Sequence, residues 1–316
     1  MKEKDTVVSV NERDFIIASI RDGVRTDGRG RDDFRKVRLR FGRAQYGEVH
    51  VRLGRTQVFV SISSEVVVPS EDRGSEGLFL FKTHIHPMAS EAVLLTSRSN
   101  HFYLREKTVE LGRIVERCLR ESHAIDNESL CIISGEKVWR IEVDIHVIDD
   151  DGNLIDCSMM ACTAALIHFR KRNIIVKGDG ECHYVEEGTG PNREPAYVPL
   201  SIHHVPLTAT LGLTKDGTFV VDPSNAEEQV LEGRITIAVN AQRQVCGVHK
   251  LGGTPLRADD VVNGAHIAAQ KVEALLKRVH EGLAANEGSD TPLEMWTNGE
   301  QQQESVKGRV ESILEG

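Results

Sequence analysis

Residues 138–172 read VWRIEVDIHVIDDDGNLIDCSMMACTAALIHFRKR, and this stretch decides the architecture. From Val138 to Ile148 apolar and polar residues alternate, with Ile141, Val143, Ile145 and Val147 on one face, the period of a strand with one buried side. From Asp156 to about Arg172 the pattern predicts a helix. The link between them, Asp149-Asp-Asp-Gly-Asn-Leu-Ile-Asp-Cys-Ser158, feeds a helix N-terminus, where free N–H groups and the helix dipole favour an anion. A working phosphate loop would add a hydroxyl and a guanidinium or ammonium. Here the tip carries Leu154 and Ile155, with Asp149, Asp150, Asp151 and Asp156 around them, and no Lys or Arg lies between Arg140 and Arg170. Such a loop is expected to repel phosphate.

Outward from this stretch the chain alternates short strands with helices. Ser9-Val-Asn-Glu12 has the form of a capping box, with Phe15/Ile16 and Ser19/Ile20 on the following helix and Gly23 to end it. Val49, Val51, Leu53 and Val58, Val60, Ile62 alternate around Gly54-Arg55, the signature of a β-hairpin. Glu71 to Gly77 reads as a loop and Ser129 to Ser134 as a short strand. Leu104 to Glu121 reads as an amphipathic helix with Val109, Ile114, Val115, Cys118 and Leu119 toward the core. After a loop over 178–199 the pattern restarts. A strand is predicted over Ser201–Leu213, a turn at Lys215–Thr218 and a return at Phe219–Asp222. Further strands follow at Ile235–Asn240 and Val245–Lys250, then a closing helix over Ala258–Glu281. From Leu283 the pattern fails and a mobile acidic tail is expected, its one apolar patch at Pro292–Trp296 and a short helix at Val306–Leu314.

A length of 316 residues suits two domains, or one duplicated unit with a tail. No apolar run is long enough for a membrane span, and Met-Lys-Glu-Lys-Asp has no apolar segment of a secretory signal. Six cysteines without a Cys-x-x-Cys pair point to reduced thiols. A net charge of −9 argues against free-standing nucleic-acid binding. Its distribution is uneven: residues 21–55 sum to +6 and residues 281–316 to −6. The basic stretch can face RNA or an acidic partner, or simply be a solvated strip.

Four ordered segments give the chain a family likeness. Val24-Arg-Thr-Asp-Gly-Arg-Gly30 is similar to the Arg-x-Asp-Gly-Arg opening of the RNase PH family. Glu110 to Ser122 resembles its arginine-bearing helix, and Asp151–Asp156 falls where active members carry a Gly-Thr-Arg phosphate loop. Val221-Asp-Pro-Ser224, Glu227-Glu228 and Ile235–Asn240 resemble the second-half pattern of the RNA exosome ring subunits. The likeness covers about residues 9–282. It implies an α+β RNase PH fold, a duplicated strand–helix unit of the ribosomal protein S5 domain 2-like kind. The division is then 1–195, 196–282 and a flexible acidic tail at 283–316.

The resemblance also implies roles. At the phosphate loop Asn153, Leu154 and Ile155 form a degenerate version, with Leu154 and Ile155 at the Thr-Arg positions. Where active members place two aspartates for a divalent ion or acid–base work, Glu228 fills the first position and Arg234 the second, so no catalytic residue is expected. Arginines matching Arg113 and Arg117 look into the central channel in the non-catalytic ring subunits; Arg120 and Arg105 extend the candidate RNA-binding set. The plain alternative is a solvated helix in which Glu110 pairs with Arg113 or the Arg117 turn, and Glu116 with Arg120. His84-Ile-His86, His203-His204 and Glu181-Cys-His183 lack the paired spacing of a metal site, so neither metal nor cofactor is expected. The implied partners are other RNase PH-like ring subunits, RNA-binding cap subunits, a hydrolytic nuclease and single-stranded RNA in the channel, with no membrane. The implied location is nucleus, nucleolus and cytoplasm. An active phosphorolytic exoribonuclease and a pure scaffold without RNA contact are the rival readings.

Overall fold

The computed structural model describes residues 8–42, 45–89, 100–177, 182–187, 194–214, 217–251, 253 and 255–287. Helix α1 (Val10–Arg21) begins at Ser9, whose side chain accepts from the Glu12 amide, and buries Ile16 and Ile20 while Phe15 stays exposed. Strands β1 (Val37–Phe41), β2 (Val49–Leu53) and β3 (Thr56–Val67) form an antiparallel meander. The β2–β3 turn pairs Leu53 with Thr56 and places Gly54 at φ +62°, the left-handed geometry that suits a two-residue hairpin loop. Strand β4 (Leu78–Ile85) lies parallel to β6 (Lys137–Asp149), which sits between β3 and β4 in the sheet order β1-β2-β3-β6-β4; β5 (Cys131–Ile133) folds back on β6. On β6, Ile141, Val143, Ile145 and Val147 are buried as the alternation predicts.

Helix α2 (Asn100–Glu116) packs on β4. Instead of continuing as an α-helix it widens into a π-helical turn over Arg117–Glu121, with Cys118 and Leu119 buried. Val109 is 50% exposed rather than turned to the core. Helix α3 (Leu154–His168) is apolar all round, and a helix of that kind has to be covered on every side. It lies between β2 and β3 of the first sheet and β13 (Leu207–Leu213) of the second. The helix stops at His168, short of Arg172. Phe169 turns extended, and β7 (Arg170–Arg172) pairs instead with β12 (Tyr197–Pro199).

Short ribbons fill the connection: β8 (Ile174–Val176) with β9 (Cys182–Tyr184), and β10 (Glu186–Glu187) with β11 (Glu194–Pro195). The strand expected from Ser201 begins only at Leu207, immediately after Pro206, which has no N–H to give a ladder. Ile202 instead bridges to Ile125 of the first half, as β12 does to β7.

The second sheet runs β14 (Phe219–Val221), β13, β15 (Gly233–Val239), β16 (Val245–Leu251), all antiparallel. All of β13 is buried, because Thr210 meets α3 while Leu211 meets Gly264 of α5 (Ala258–Glu287) on the opposite face. The short helix α4 (Asn225–Val230) carries the capping box Ser224/Glu227. Helix α5 runs past Glu281 to Glu287, so residues 283–287 belong to it and not to a tail. Residues 288–316, with both tail features, lie outside the described residues, as do Lys215 and Asp216 of the predicted turn. One hydrophobic core spans both sheets and the two long helices that cover the second one. Among the described residues no helix is long and apolar enough to cross a membrane.

Candidate functional site

The loop after β6 is held by the second half of the chain. Gly152 has φ +86°, and a Cβ there would lie 2.5 Å from the Asn225 amide nitrogen, so only glycine permits this approach of α4. The Gly152 carbonyl accepts from Thr56 Oγ1 (2.8 Å) and Arg35 Nη2 (3.0 Å). Asn153 is also left-handed, at φ +53°, and opens α3. Its amide is one of the four at the start of α3 that have no partner within the helix and that an anion could use. That amide donates instead to Glu228 Oε1 at 2.8 Å. A carboxylate of the chain itself therefore sits at the helix N-terminus, where a negative charge is favoured.

For two of the four acids, Asp156 and Asp150, this geometry differs from the expectation that they face an incoming phosphate. Asp156 is fully buried and points inward, accepting from Asn153 Nδ2 (2.9 Å), the Thr210 amide (2.8 Å) and Thr210 Oγ1 (2.9 Å). Asp150 is buried and paired with Lys107 at 2.6 Å, so a basic residue distant in sequence does reach the loop. Leu154 and Ile155 are each only 5% exposed. The remaining cavity, lined by Lys107, Asn153, Ile155, Glu228 and Arg234 among others, has a volume of about 10 Å³. That is room for about one water. Leu154, Ile155 and the Glu228 carboxylate thus fill most of the space at the start of α3.

Glu228 and Arg234 do come together. Arg234 Nη1 lies 3.6 Å from Glu228 Oε2, and its Nη2 donates to Glu110 Oε1 at 2.8 Å. The guanidinium thus bridges two carboxylates, and a divalent ion would meet its charge. Glu110 is engaged by Arg234 and not by Arg113. His84 and His86 stack against His146, with ring centroids at 5.3 and 6.2 Å, and do not converge on a common point. Among the described residues no three potential ligands cluster as a metal site.

Behind the loop lies a buried ionic network for which sequence reasoning assigned no role. Arg25, 2% exposed, forms a two-pronged pair with Glu227 and donates to the Val221 and Asp222 carbonyls. Arg35 donates to both carboxylate oxygens of Asp222, from Nε at 2.9 Å and Nη2 at 2.8 Å. Arg29 Nη1 reaches Asp222 Oδ2 at 3.0 Å, and Asn153 Nδ2 reaches Asp222 Oδ1 at 2.6 Å. Burial works against the charged form of Asp222, but Arg35, then Arg29 and Asn153, outweigh it and hold its pKa below the ordinary value. Part of the basic stretch 21–55 therefore faces neither solvent nor a partner; it ties the first half to the second.

Asp156 behaves oppositely. Burial pushes its pKa up to about 6, against the pull of Asn153 and Thr210. A folded pKa above the unfolded one gives stability that is full below pH ~4 and lost as pH rises through about 6. The shift corresponds to roughly 3 kcal/mol. The difference in unfolding free energy between wild type and Asp156→Asn should move by about that amount between pH 3.5 and pH 7, in favour of the asparagine variant at pH 7. Denaturant titrations across this range measure it, and a pH-independent difference would exclude the assignment.

The arginine face is open. Arg113, Arg117 and Arg120 are exposed and line a broad groove of about 1610 Å³ that runs to His203 and His249. Arg117 pairs with Glu121 (3.0 Å) and Arg120 with Glu116 (2.9 Å), the latter as the solvated-helix alternative predicts. Arg105 is exposed but does not line the groove.

Comparison with known proteins places this geometry. Residues 33–172 match the 3' exoribonuclease family, domain 1 (RNase_PH), and residues 204–271 match its domain 2. The chain is 39% identical to human exosome complex component RRP45 over 89% of its own length and 61% of the human protein, so it spans less than two thirds of that relative. It is 37% identical to Arabidopsis thaliana exosome complex component RRP45A over 88% of each chain. A solved structure described as an Archaeoglobus fulgidus exosome with RNA bound to the active site contains a chain of similar fold. The TM-score is 0.68 at 30% identity, over 84% of this chain and 96% of that one.

Proposed function

Because the chain belongs to the RNase PH family of 3' exoribonucleases, in the branch of exosome component RRP45, we propose that it is a ring subunit of the RNA exosome that performs no phosphorolysis itself. Its neighbours are other RNase PH-like chains, and the assembly works with RNA-binding caps and a hydrolytic nuclease in nucleus, nucleolus and cytoplasm. The observation that carries the inactive reading is the Glu228 carboxylate seated on the Asn153 amide, above a cavity of about 10 Å³. Glu228 takes the Asn153 amide from an incoming phosphate, and the cavity is too small for one. The chain's contribution is then shape, subunit contacts and the exposed arginines of α2 and its π turn, which touch phosphates without reading bases and so let RNA slide.

The pure-scaffold reading is favoured by one observation: Arg117 and Arg120 are already paired with carboxylates. Charge reversal at Arg113 and Arg117 separates the two. In the assembled complex it should shorten or abolish the RNA segment protected from nuclease, with subunit composition unchanged, because two anions replace two cations along the path of a polyanion. The cost to folding should stay within about 0.5 kcal/mol at these exposed positions. Unaltered protection in an intact double variant would establish the scaffold. Pure chain incubated with RNA and inorganic phosphate should release no nucleoside diphosphates; phosphate-dependent release would overturn the proposal.

A further inference from the structure

The groove beside the arginine face is lined by four arginines and seven carboxylates, a formal charge of −3 with histidines neutral. Three of those arginines already have a carboxylate three or four residues away: Arg73 with Glu76 (3.6 Å), Arg117 with Glu121 (3.0 Å) and Arg120 with Glu116 (2.9 Å). Among the described residues Arg113 has no such partner. A surface built to grip RNA would leave its guanidiniums available, since affinity grows with the number of phosphates neutralised. This one does the reverse.

We propose that Glu116 and Glu121 are release elements, internal competitors that return Arg120 and Arg117 to a paired state each time a phosphate leaves. The inference rests on the reading that the groove contacts RNA, and adds to it the residues that keep the contact short. The exposure of the pairs is what makes them suitable. Arg117 and Glu121 are 65% and 67% exposed, and Arg120 and Glu116 are 42% and 41% exposed. Exposed i,i+4 pairs are worth only a few tenths of a kcal/mol, so a passing phosphate can displace the carboxylate. The carboxylate, being tethered, recaptures the arginine once the phosphate moves on. Arg113 then supplies the one contact that has no competitor, at the lip where Glu110 is already occupied by Arg234. The chain thereby tunes residence time through its own carboxylates and not through fewer arginines.

The test uses the full chain and an end-labelled single-stranded oligoadenylate of about 20 nucleotides, with affinity measured between 50 and 200 mM salt. The double variant E116Q/E121Q should bind about two- to fivefold tighter. Its log–log salt slope should stay within about 0.7 of the wild-type value, because the same phosphates are contacted with or without the competitor. E128Q removes a charge from the same groove without releasing an arginine and should change affinity less than twofold. If E128Q tightens binding as much as the double variant, the groove's overall field acts and the competition model is wrong. If reversal at Arg113 and Arg117 weakens binding while E116Q/E121Q does not strengthen it, the RNA contact stands and the release role falls. If neither change moves RNA affinity, and reversal instead abolishes capture of a partner subunit, the groove is a protein interface and both readings fall.

Discussion

Replacing Asp222 with alanine is expected to destabilise the chain by about 3–5 kcal/mol, the usual cost of removing one partner from a buried, hydrogen-bonded ion pair. Asp222 is fully buried and accepts from Arg35, Arg29 and Asn153. Without it, the Arg35 guanidinium, 7% exposed, keeps its hydrogen bonds to Thr56 and the loop carbonyls, and its nearest carboxylate is the half-exposed Asp151 at 3.8 Å. The loss is shared by three segments at once, because the same carboxylate holds the N-terminal arginines and the start of α3. Urea or thermal unfolding of the variant measures it directly. A loss below about 1 kcal/mol would mean that water enters and solvates Arg35, and that the network is not what joins the halves. An ion pair of this kind is not evidence of exceptional stability, since its desolvation offsets much of the attraction. Its effect lies in the asymmetry: complete, it costs little; broken, it costs several kcal/mol.

The second large effect concerns the phosphate loop. Restoring the family pattern by Leu154→Thr and Ile155→Arg together should yield no phosphorolysis and should lower stability by at least about 2 kcal/mol, because a cation is placed where an apolar side chain was buried. The new guanidinium would enter a cavity of about 10 Å³ already edged by Lys107 and Arg234. The Asn153 amide would still be engaged by Glu228. Nucleoside diphosphate release and unfolding midpoint are the two readouts. Phosphate-dependent turnover by the double variant would show that two side chains alone separate this loop from an active one, and that Glu228 yields to phosphate when a cation is present. Adding Glu228→Ala to the pair is the informative next step, as it frees the amide.

What the sequence disclosed and what it hid follow from the range of each interaction. Alternation in Val49–Leu53 and Val58–Ile62 marked the β2–β3 hairpin because strand period and a tight turn are local properties. That Leu154 and Ile155 sit at the junction of β6 and α3 was readable for the same reason, since both belong to one short segment. The two acids that appeared to guard that loop, Asp150 and Asp156, were misread because their partners Lys107 and Thr210 are far away in the chain. Arg25 and Arg35 looked like surface charge, since nothing near them in sequence signals Glu227 or Asp222. A weak signal was present: Asp222 directly follows the apolar run Phe219–Val221, and a lone carboxylate at the end of a buried strand calls for a cation from elsewhere in the chain. The end of α3 at Phe169 and the delayed start of β13 were set by tertiary pairing of β7 with β12 and by Pro206, both able to override a local pattern.

The clasp between Arg25 and Glu227 joins residues 202 positions apart. On a ribosome adding about 5–20 residues per second, the arginine emerges roughly 10–40 s before its carboxylate exists. During that interval the first sheet has its strands but lacks β13, and the apolar faces of α3 that β13 and α5 will cover stand open to solvent. Contacts of such long range are also slow to find once the chain is complete, because the loop must close before anything is gained. The first half therefore stays uncovered until α5 has been made, and a message truncated between the two halves yields a fragment that lacks Glu227 and Asp222, the buried carboxylates that hold Arg25 and Arg35.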